Sequence, residues 1–460
     1  MDRRDPAPHG ASGGPLSLDE VARRAGAPAG QVAAWHAAGL MGDAQRADFT
    51  SRDVARVRLI RLFVRRGIDL AAIAVWVGSG EMDRHLDLVT PPSAGPSYPL
   101  DEVCARLGLD AGMVRRLWEA AGLEADLIDD EDVEALQALK PAIDAGFPEE
   151  ALLQLMRVFA DAMHRVADVE TRLFHFYVRG TLEARGLAEG ALLEAVWSAS
   201  TQVIRLDEPA LRYFHRKALR HAIADNAVLE LAQQAGLAGL PETAGQLEIA
   251  IAFVDLAGFT RLAEAKGDVE AARTLERFSA LVRHVVAGFD GHVVKQIGDA
   301  FMLVFPEPRS AVSAVLEVER RATREPHFPA TRSGIQWGRV LYREGDYVGA
   351  NVNAAARVAD VAEPHQVLVT GAARRAVGLL PEVEFAPLPT RRLEGIAEEI
   401  ELFAARPATE GEARVVDPAC GLELAPAEVV ARLTVGGTQH AFCSEACVRR
   451  FVTQPAAARG

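Results

Sequence analysis

Val254-Asp255-Leu256-Ala257-Gly258-Phe259-Thr260 and Lys295-Gln296-Ile297-Gly298-Asp299-Ala300-Phe301 decide how the second half of this chain is read. Each aspartate follows a short apolar run that reads as a strand, and each lies at a turn. The two are 44 residues apart. Converging from strand ends, their carboxylates form a pair of hard oxygen ligands, suited to Mg²⁺ held together with substrate phosphates. After Asp255, the Gly258-Phe259-Thr260 turn opens a helix whose free amides can cradle phosphate oxygens.

Working outward, residues 247–406 alternate strands and helices. Residues 249–254 read as a strand and 261–289 as mostly helix. Residues 292–297 and 300–305 form a hairpin around Gly298-Asp299, and a helix over 310–324 precedes a strand over 332–338. A second hairpin then leads into residues 351–361. This strand-helix-strand-strand-helix-strand order is the α+β ferredoxin-like plan, which by itself establishes no activity.

Motif density goes further. Phe253-x-Asp255-x-x-Gly258-Phe259-Thr260, Lys295-x-x-Gly298-Asp299 and Gly349-x-x-Val352-Asn353-x-Ala355-Ala356-Arg357 occur in order. In spacing they resemble the class III adenylate cyclases over about 160 residues. The resemblance implies a catalytic domain over 245–406 that converts ATP to cyclic AMP and pyrophosphate. Asp255 and Asp299 would hold two Mg²⁺ or Mn²⁺ ions, and Lys295 and Asp346 would read the adenine edge. Asn353 would orient the ribose, and Arg357 would stabilise charge on the transferring phosphate. Asn353 and Arg357 are four apart, hence on one face if that stretch is helical. The family draws the aspartates from one protomer and the other four residues from its partner, so a head-to-tail homodimer is implied. One position departs from the pattern. Where the family carries Leu-Lys-Gly, this chain has Leu393-Glu394-Gly395, with Arg391 and Arg392 alongside.

The chain has 460 residues, too many for one core, so several domains are expected. A net charge of −14 excludes a non-specific nucleic-acid binder as a whole molecule. No apolar run approaches the ~18 residues that span a bilayer, so no membrane contact is expected. Residues 1–15 are polar and rich in Gly and Pro, which reads as a disordered tail and not a signal peptide.

The front of the chain contains a duplication. Leu18-Asp19-Glu20-Val21 returns as Leu100-Asp101-Glu102-Val103, and Trp35-His36-Ala37-Ala38-Gly39-Leu40 as Trp118-Glu119-Ala120-Ala121-Gly122-Leu123. Each copy reads as helix, Gly turn, helix, short polar wing and longer helix, and it resembles the winged helix-turn-helix of the MerR family. Residues 16–82 form the first copy and 83–97 a linker. Residues 98–240 hold the second copy and a helical segment that resembles the regulatory domain ahead of some actinobacterial cyclases. Over 41–66 the first copy has seven arginines, Arg46, Arg52, Arg56, Arg58, Arg61, Arg65 and Arg66, against three aspartates. Over 124–146 the second has eight acids against Lys140 alone and should repel DNA. DNA binding through 16–80 stays open. The stretch 29–35 lacks any Arg or Lys for a base edge, which favours a regulatory role built on the same fold. His164, His175, His215 and His221 make a pH response chemically available.

Three of the four cysteines fall in the last 41 residues, which argues for a metal or redox site in a reducing cytoplasm. After a linker over 407–415, residues 416–458 carry Asp417-Pro418-Ala419-Cys420 and Phe442-Cys443-Ser444-Glu445-Ala446-Cys447. They resemble the small YHS/TRASH metal-binding module. Cys420, Cys443 and Cys447, with His440 as a fourth ligand, suit Zn²⁺ or Cu⁺. A metal-free redox pair at Cys443 and Cys447 is the competing account. Cys104 reads as a buried small apolar residue. The expectation is a cytoplasmic homodimeric adenylate cyclase, regulated by helical domains in front and a metal module behind. The alternative is a DNA-binding or metal-responsive regulator using a low-activity cyclase domain as a nucleotide sensor.

Overall fold

The computed structural model describes residues 16–89, 98–123, 127–187, 189–235, 242–396, 398–408, 415–424, 428–435 and 438–453. The expected tail at 1–15, residues 90–97 and 409–414 of the expected linkers, and the acids Glu124 and Asp126 lie outside the described residues. Residues 83–89 of the linker expected over 83–97 belong instead to the helix Glu81–Val89, because Met82 and Leu86 bury in the core of the first copy. Among the described residues no helix is long and apolar enough to cross a membrane. The chain divides into two compact units, residues 1–227 and 228–460.

In the first unit the sequence repeat is repeated in the backbone. Helices Leu18–Arg24, Ala29–Ala37 and Ser51–Arg65 correspond in order to Leu100–Leu107, Ala111–Ala120 and Asp130–Asp144. Each copy also closes a short antiparallel pairing, Leu16 with Phe49 and Tyr98–Pro99 with Leu127–Ile128. Both third helices start on a capping box, Thr50 with Asp53 and Asp129 with Asp132, which satisfies amides at the helix start. Both end at a glycine in the left-handed region, Gly67 and Gly146, each at φ 82.

Each copy has its own core, Trp35 with Val32, Val57 and Ile60 in one and Trp118 with Val114, Leu117 and Leu136 in the other. Cys104 is buried in the second core, as its helix position predicts. Most arginines of the first copy are engaged within the unit. Arg46 pairs with Asp53, Arg52 with Asp87 and Arg56 with Asp83. Arg58 and Arg61 donate to the carbonyls of Arg24 and Ala25. Beyond the second copy run the helices Glu149–Leu173 and Glu189–Gln234.

The second unit is built on one eight-stranded sheet. Its elements in chain order are β1 (Gln246–Leu256), α1 (Phe259–Lys266), α2 (Asp268–Ala287), β2 (His292–Ile297), β3 (Ala300–Phe305) and α3 (Pro308–Arg324). There follow β4 (Thr331–Arg343), β5 (Asp346–Val348), α4 (Ala350–Asp360), β6 (Gln366–Thr370), α5 (Gly371–Val377), β7 (Val383–Arg392) and β8 (Glu399–Pro407). The strand order is β2-β3-β1-β4-β6-β8-β7, with β5 paired to β4, and every pairing is antiparallel except β4 with β6.

The expected ferredoxin-like order runs through β4, with two refinements. The helix expected over 261–289 is two helices broken at Gly267, which sits at φ 84, and the strand expected over 332–338 extends to Arg343. Strand alternation explains how β1 is covered on both faces. Ala250, Ala252 and Val254 enter one core with Phe278 of α2 and Val315 of α3. Ile251 and Phe253 enter another with Val352, Ala355 and Ala359 of α4. The helix α4 comes so close to β4 that a Cβ on Gly334 would lie 2.3 Å from the Ala359 nitrogen, so this crossing requires glycine.

The tail forms two small hairpins, β9 (Val415–Val416) with β10 (Glu423–Leu424) and β11 (Ala431–Val435) with β12 (Thr438–Phe442), followed by α6 (Glu445–Thr453). Its apolar residues form one cluster with Leu262 of α1, so the tail packs onto the catalytic region and does not stand apart from it.

Candidate active site and cysteine centre

Antiparallel pairing places the two aspartates side by side. Asp255 lies near the end of β1, opposite Arg332 of β4, and Asp299 closes the two-residue turn between β2 and β3. In that turn Gly298 adopts φ 62, a left-handed value natural for glycine. Burial, then the neighbouring Asp255 carboxylate, push the Asp299 carboxyl up to about 6. Asp255 Oδ2 accepts from Arg332 Nε at 2.8 Å, while Oδ1 is buried and, among the described residues, has no hydrogen-bond partner. Two adjacent carboxylates with one orphaned oxygen fit a divalent cation, which would relieve both the repulsion and the missing bond.

Lys295 of β2 and Asp346 of β5 form an ion pair across 51 residues of sequence. Asn353 and Arg357 share the outer face of α4. Val352, Ala355 and Ala359 of that helix face the sheet, whereas Asn353 and Arg357 are exposed. Among the described residues the Asn353 side chain has no hydrogen-bond partner, and Arg357 reaches only Asp360, at 3.1 Å. Neither meets Asp255 or Asp299 within the chain. Gly258, at φ 73, caps α1, leaving Gly258 and Thr260 exposed and Phe259 half-buried beneath them. Glu394 is exposed in the loop between β7 and β8.

The cysteine centre is of another kind. Asp417, Cys420, Cys443 and Cys447 place one ligand atom each within 4.8 Å of one another, and all four residues are buried. Asp417 Oδ1 accepts from the amide of Ala419 at 2.8 Å, and Oδ2 from that of Cys443 at 2.8 Å. Hydrogen bonding from the Cys420 thiol holds Cys443 down at about 6, while burial pushes Cys447 up to about 11. His440, expected as the fourth ligand, is not in this group. It lies on β12 with its ring against Phe451, centroids 4.9 Å apart. The strand turns the imidazole toward α6, and Asp417 occupies the place expected for it.

Three residues escaped the sequence reading. Asp417 carried a readable signal, an Asp three before a Cys, which is the spacing of a side chain that caps its own turn. Arg332 reaches Asp255 only through strand register, 77 residues away. His365 is held between Glu319 of α3 and Glu423 of β10. Burial alone would push its pKa down, but the two carboxylates outweigh it and raise it to about 9. No periodicity announces that triad.

Two known protein domains match parts of this chain. Residues 38–223 match the adenylate cyclase regulatory domain, a span that crosses both copies of the repeat. Residues 243–323 match the adenylate and guanylate cyclase catalytic domain, a span that includes Asp255, Lys295 and Asp299. A pH-sensitive adenylate cyclase of Mycobacterium tuberculosis is 28% identical over 316 residues, 66% of this chain and 77% of its own. An adenylate cyclase of Glutamicibacter nicotianae is 28% identical over 282 residues, 58% of this chain and 68% of its own. Among solved structures, the adenylyl cyclase CyaB from P. aeruginosa aligns with 36% of this chain and 98% of its own, at 16% identity and a TM-score of 0.33. The mixed α/β domain and the matched catalytic region define a class III nucleotidyl cyclase behind a helical regulatory region. The chain is an adenylate cyclase.

Proposed function

We propose that this cyclase makes 3′,5′-cyclic AMP and pyrophosphate from ATP at two sites in a head-to-tail homodimer. Each site takes Asp255 and Asp299 from one chain and Lys295, Asp346, Asn353 and Arg357 from the other. The disposition of these side chains in one chain carries the reading. The carboxylates meet and Lys295 pairs with Asp346, yet Asn353 and Arg357 stand in solvent away from the aspartates. Half a site on each of two surfaces is what head-to-tail pairing completes.

Asp255 and Asp299 would hold two ions. Mg²⁺ or Mn²⁺ bound there supplies Lewis-acid stabilisation of the polyphosphate and eases loss of the ribose 3′-hydroxyl proton. The amides opening α1 at Gly258-Phe259-Thr260 hold phosphate oxygens. Lys295 donates to the acceptor nitrogen of the adenine edge and Asp346 accepts from its exocyclic amine. Guanine offers the opposite pattern at both positions, so ATP is favoured over GTP. Asn353 orients the ribose, and the Arg357 guanidinium faces charge on the transferring phosphate. Glu394 sits where the family commonly places a lysine on the triphosphate. Its charge opposes phosphate and lowers the rate without changing the reaction.

The test is cyclic nucleotide formation by the full-length protein with ATP and with GTP, in Mg²⁺ and in Mn²⁺. Cyclic AMP from ATP, with GTP much slower, is expected. Equal use of both nucleotides would remove the roles given to Lys295 and Asp346.

A further inference from the structure

The cysteine centre touches the catalytic region at one place, the helix α1. Leu262 of α1 is 2% exposed because it lies in the same apolar cluster as Cys420, Leu422, Phe442, Cys447 and Phe451. At the start of the helix, Gly421 lies in ordinary van der Waals range, with a Cβ position 3.8 Å from the Arg261 side chain and 3.9 Å from the Gly258 carbonyl oxygen. At its far end, Arg450 of α6 donates to the Glu264 carbonyl at 2.6 Å. The loop after Cys420 and the helix bearing Cys447 therefore grip α1 from both ends. Gly258, Phe259 and Thr260 are its opening turn.

The thiols are spaced for an ion. Tetrahedral Zn²⁺ with Zn–S of about 2.3 Å sets ligand sulfurs about 3.8 Å apart, whereas a disulfide needs about 2.0 Å. The Cys443 Sγ lies 3.7 Å from that of Cys420 and 3.6 Å from that of Cys447. Asp417 is fully buried, and among the described residues no cationic side chain pairs with it. It accepts from the amides of Ala419, Cys420 and Cys443, which leaves about one of a carboxylate's four lone-pair sites for an ion.

We propose that Asp417, Cys420, Cys443 and Cys447 bind one thiophilic ion of the Zn²⁺ class, and that this ion controls the cyclase by fixing α1 and its phosphate-binding turn. Binding forms three metal–thiolate bonds and one carboxylate bond, and the thiol protons pass to solvent. The ion joins a loop near residue 420 to one near 445. A module of about 40 residues buries too little core to hold such loops together without a staple. Without the ion, the cover over Leu262 loosens and the turn at Gly258 loses its support. The ligand set stands on its own geometry, while the effect on rate rests on the cyclase reading above.

The experiment uses the full-length reduced protein. Elemental analysis after reconstitution with Zn²⁺ should find one ion per chain. Stripping it with a thiol-competitive chelator should speed amide exchange over residues 258–266, measured without nucleotide or Mg²⁺. It should also raise the KM for Mg-ATP roughly fivefold or more, the lower end of measured coupling between sites, and restoring Zn²⁺ should reverse both. Cys443→Ser should lose the ion and His440→Ala should keep it. Should Cys443→Ser fail to fold, chelation of the wild-type chain carries the test alone. No bound ion under reducing conditions, or a disulfide in its place, overturns the site. Loss of the ion from His440→Ala overturns the ligand set. An ion whose removal leaves exchange at 258–266 and KM unchanged overturns the control. Asp299→Ala should lose cyclic AMP formation yet keep the ion and the exchange response, so failure of the cyclase reading is read separately.

Discussion

The aspartate pair and the cysteine centre both gather side chains of cation-ligand type, yet they are finished to different degrees. At the cysteine centre all four ligands come from 31 residues of one chain and are buried, and the carboxylate is already oriented by backbone amides. At the aspartate pair one carboxylate is half-buried, the other has an orphaned oxygen, and the residues expected to meet the nucleotide face solvent. A closed ligand set fixes structure, whereas a site that turns over substrate must keep positions open. On the reading proposed above, the difference gives turnover to the aspartates and control to the thiols, with α1 touching both regions.

The comparison is broken most severely at Asp299. Asp299→Ala should abolish cyclic AMP formation, and a variant that retains full activity would end the assignment. Next comes Arg357→Ala, expected to lower kcat by about 10²–10³, the range for removing one donor that faces developing charge. Mixed with Asp299→Ala, it should regain part of the activity, because one of the two sites in a mixed dimer is intact. No recovery in dimers shown to be mixed would count against shared sites.

Smaller still, Glu394→Lys is expected to raise kcat or lower KM for ATP by a few-fold, about 1 kcal/mol for an exposed charge near phosphate. A fall in activity would show that Glu394 has a positive role. The mildest effect concerns the contact between the tail and the sheet through His365. Its pKa is raised, so its contribution is full below the unfolded value of about 6.5 and is lost as pH rises through about 9. The gap in urea midpoint between wild type and His365→Gln should therefore close between those pH values. A gap that does not change from pH 6 to pH 10 would mean that the triad contributes no pairing energy.

Much of the candidate site was legible because its signals are local. Turn glycines beside Asp255 and Asp299, and the four-residue step from Asn353 to Arg357, reflect backbone geometry that short stretches encode. The hairpin over 292–305 was read to the residue for the same reason. Arg332 was not legible, since its contact with Asp255 depends on the register of β1 against β4. The tail shows both cases. Its cysteines stood out by spacing, but His440 could be told from Asp417 only once β12 had set the direction of the imidazole.

By itself, the sequence determined the repeat in the first unit, the order of strands and helices through β4 in the second, and which residues are chemically equipped to hold cations and nucleotide. These follow from periodicity, turn chemistry and side-chain type, all readable within a few residues. Tertiary structure alone decided that Asp299 meets Asp255, that Arg332 joins the aspartate pair and Asp417 the cysteine centre, and that the tail rests on α1. Each of those facts is a contact across tens or hundreds of residues, set by strand register and packing that no local stretch of chain contains.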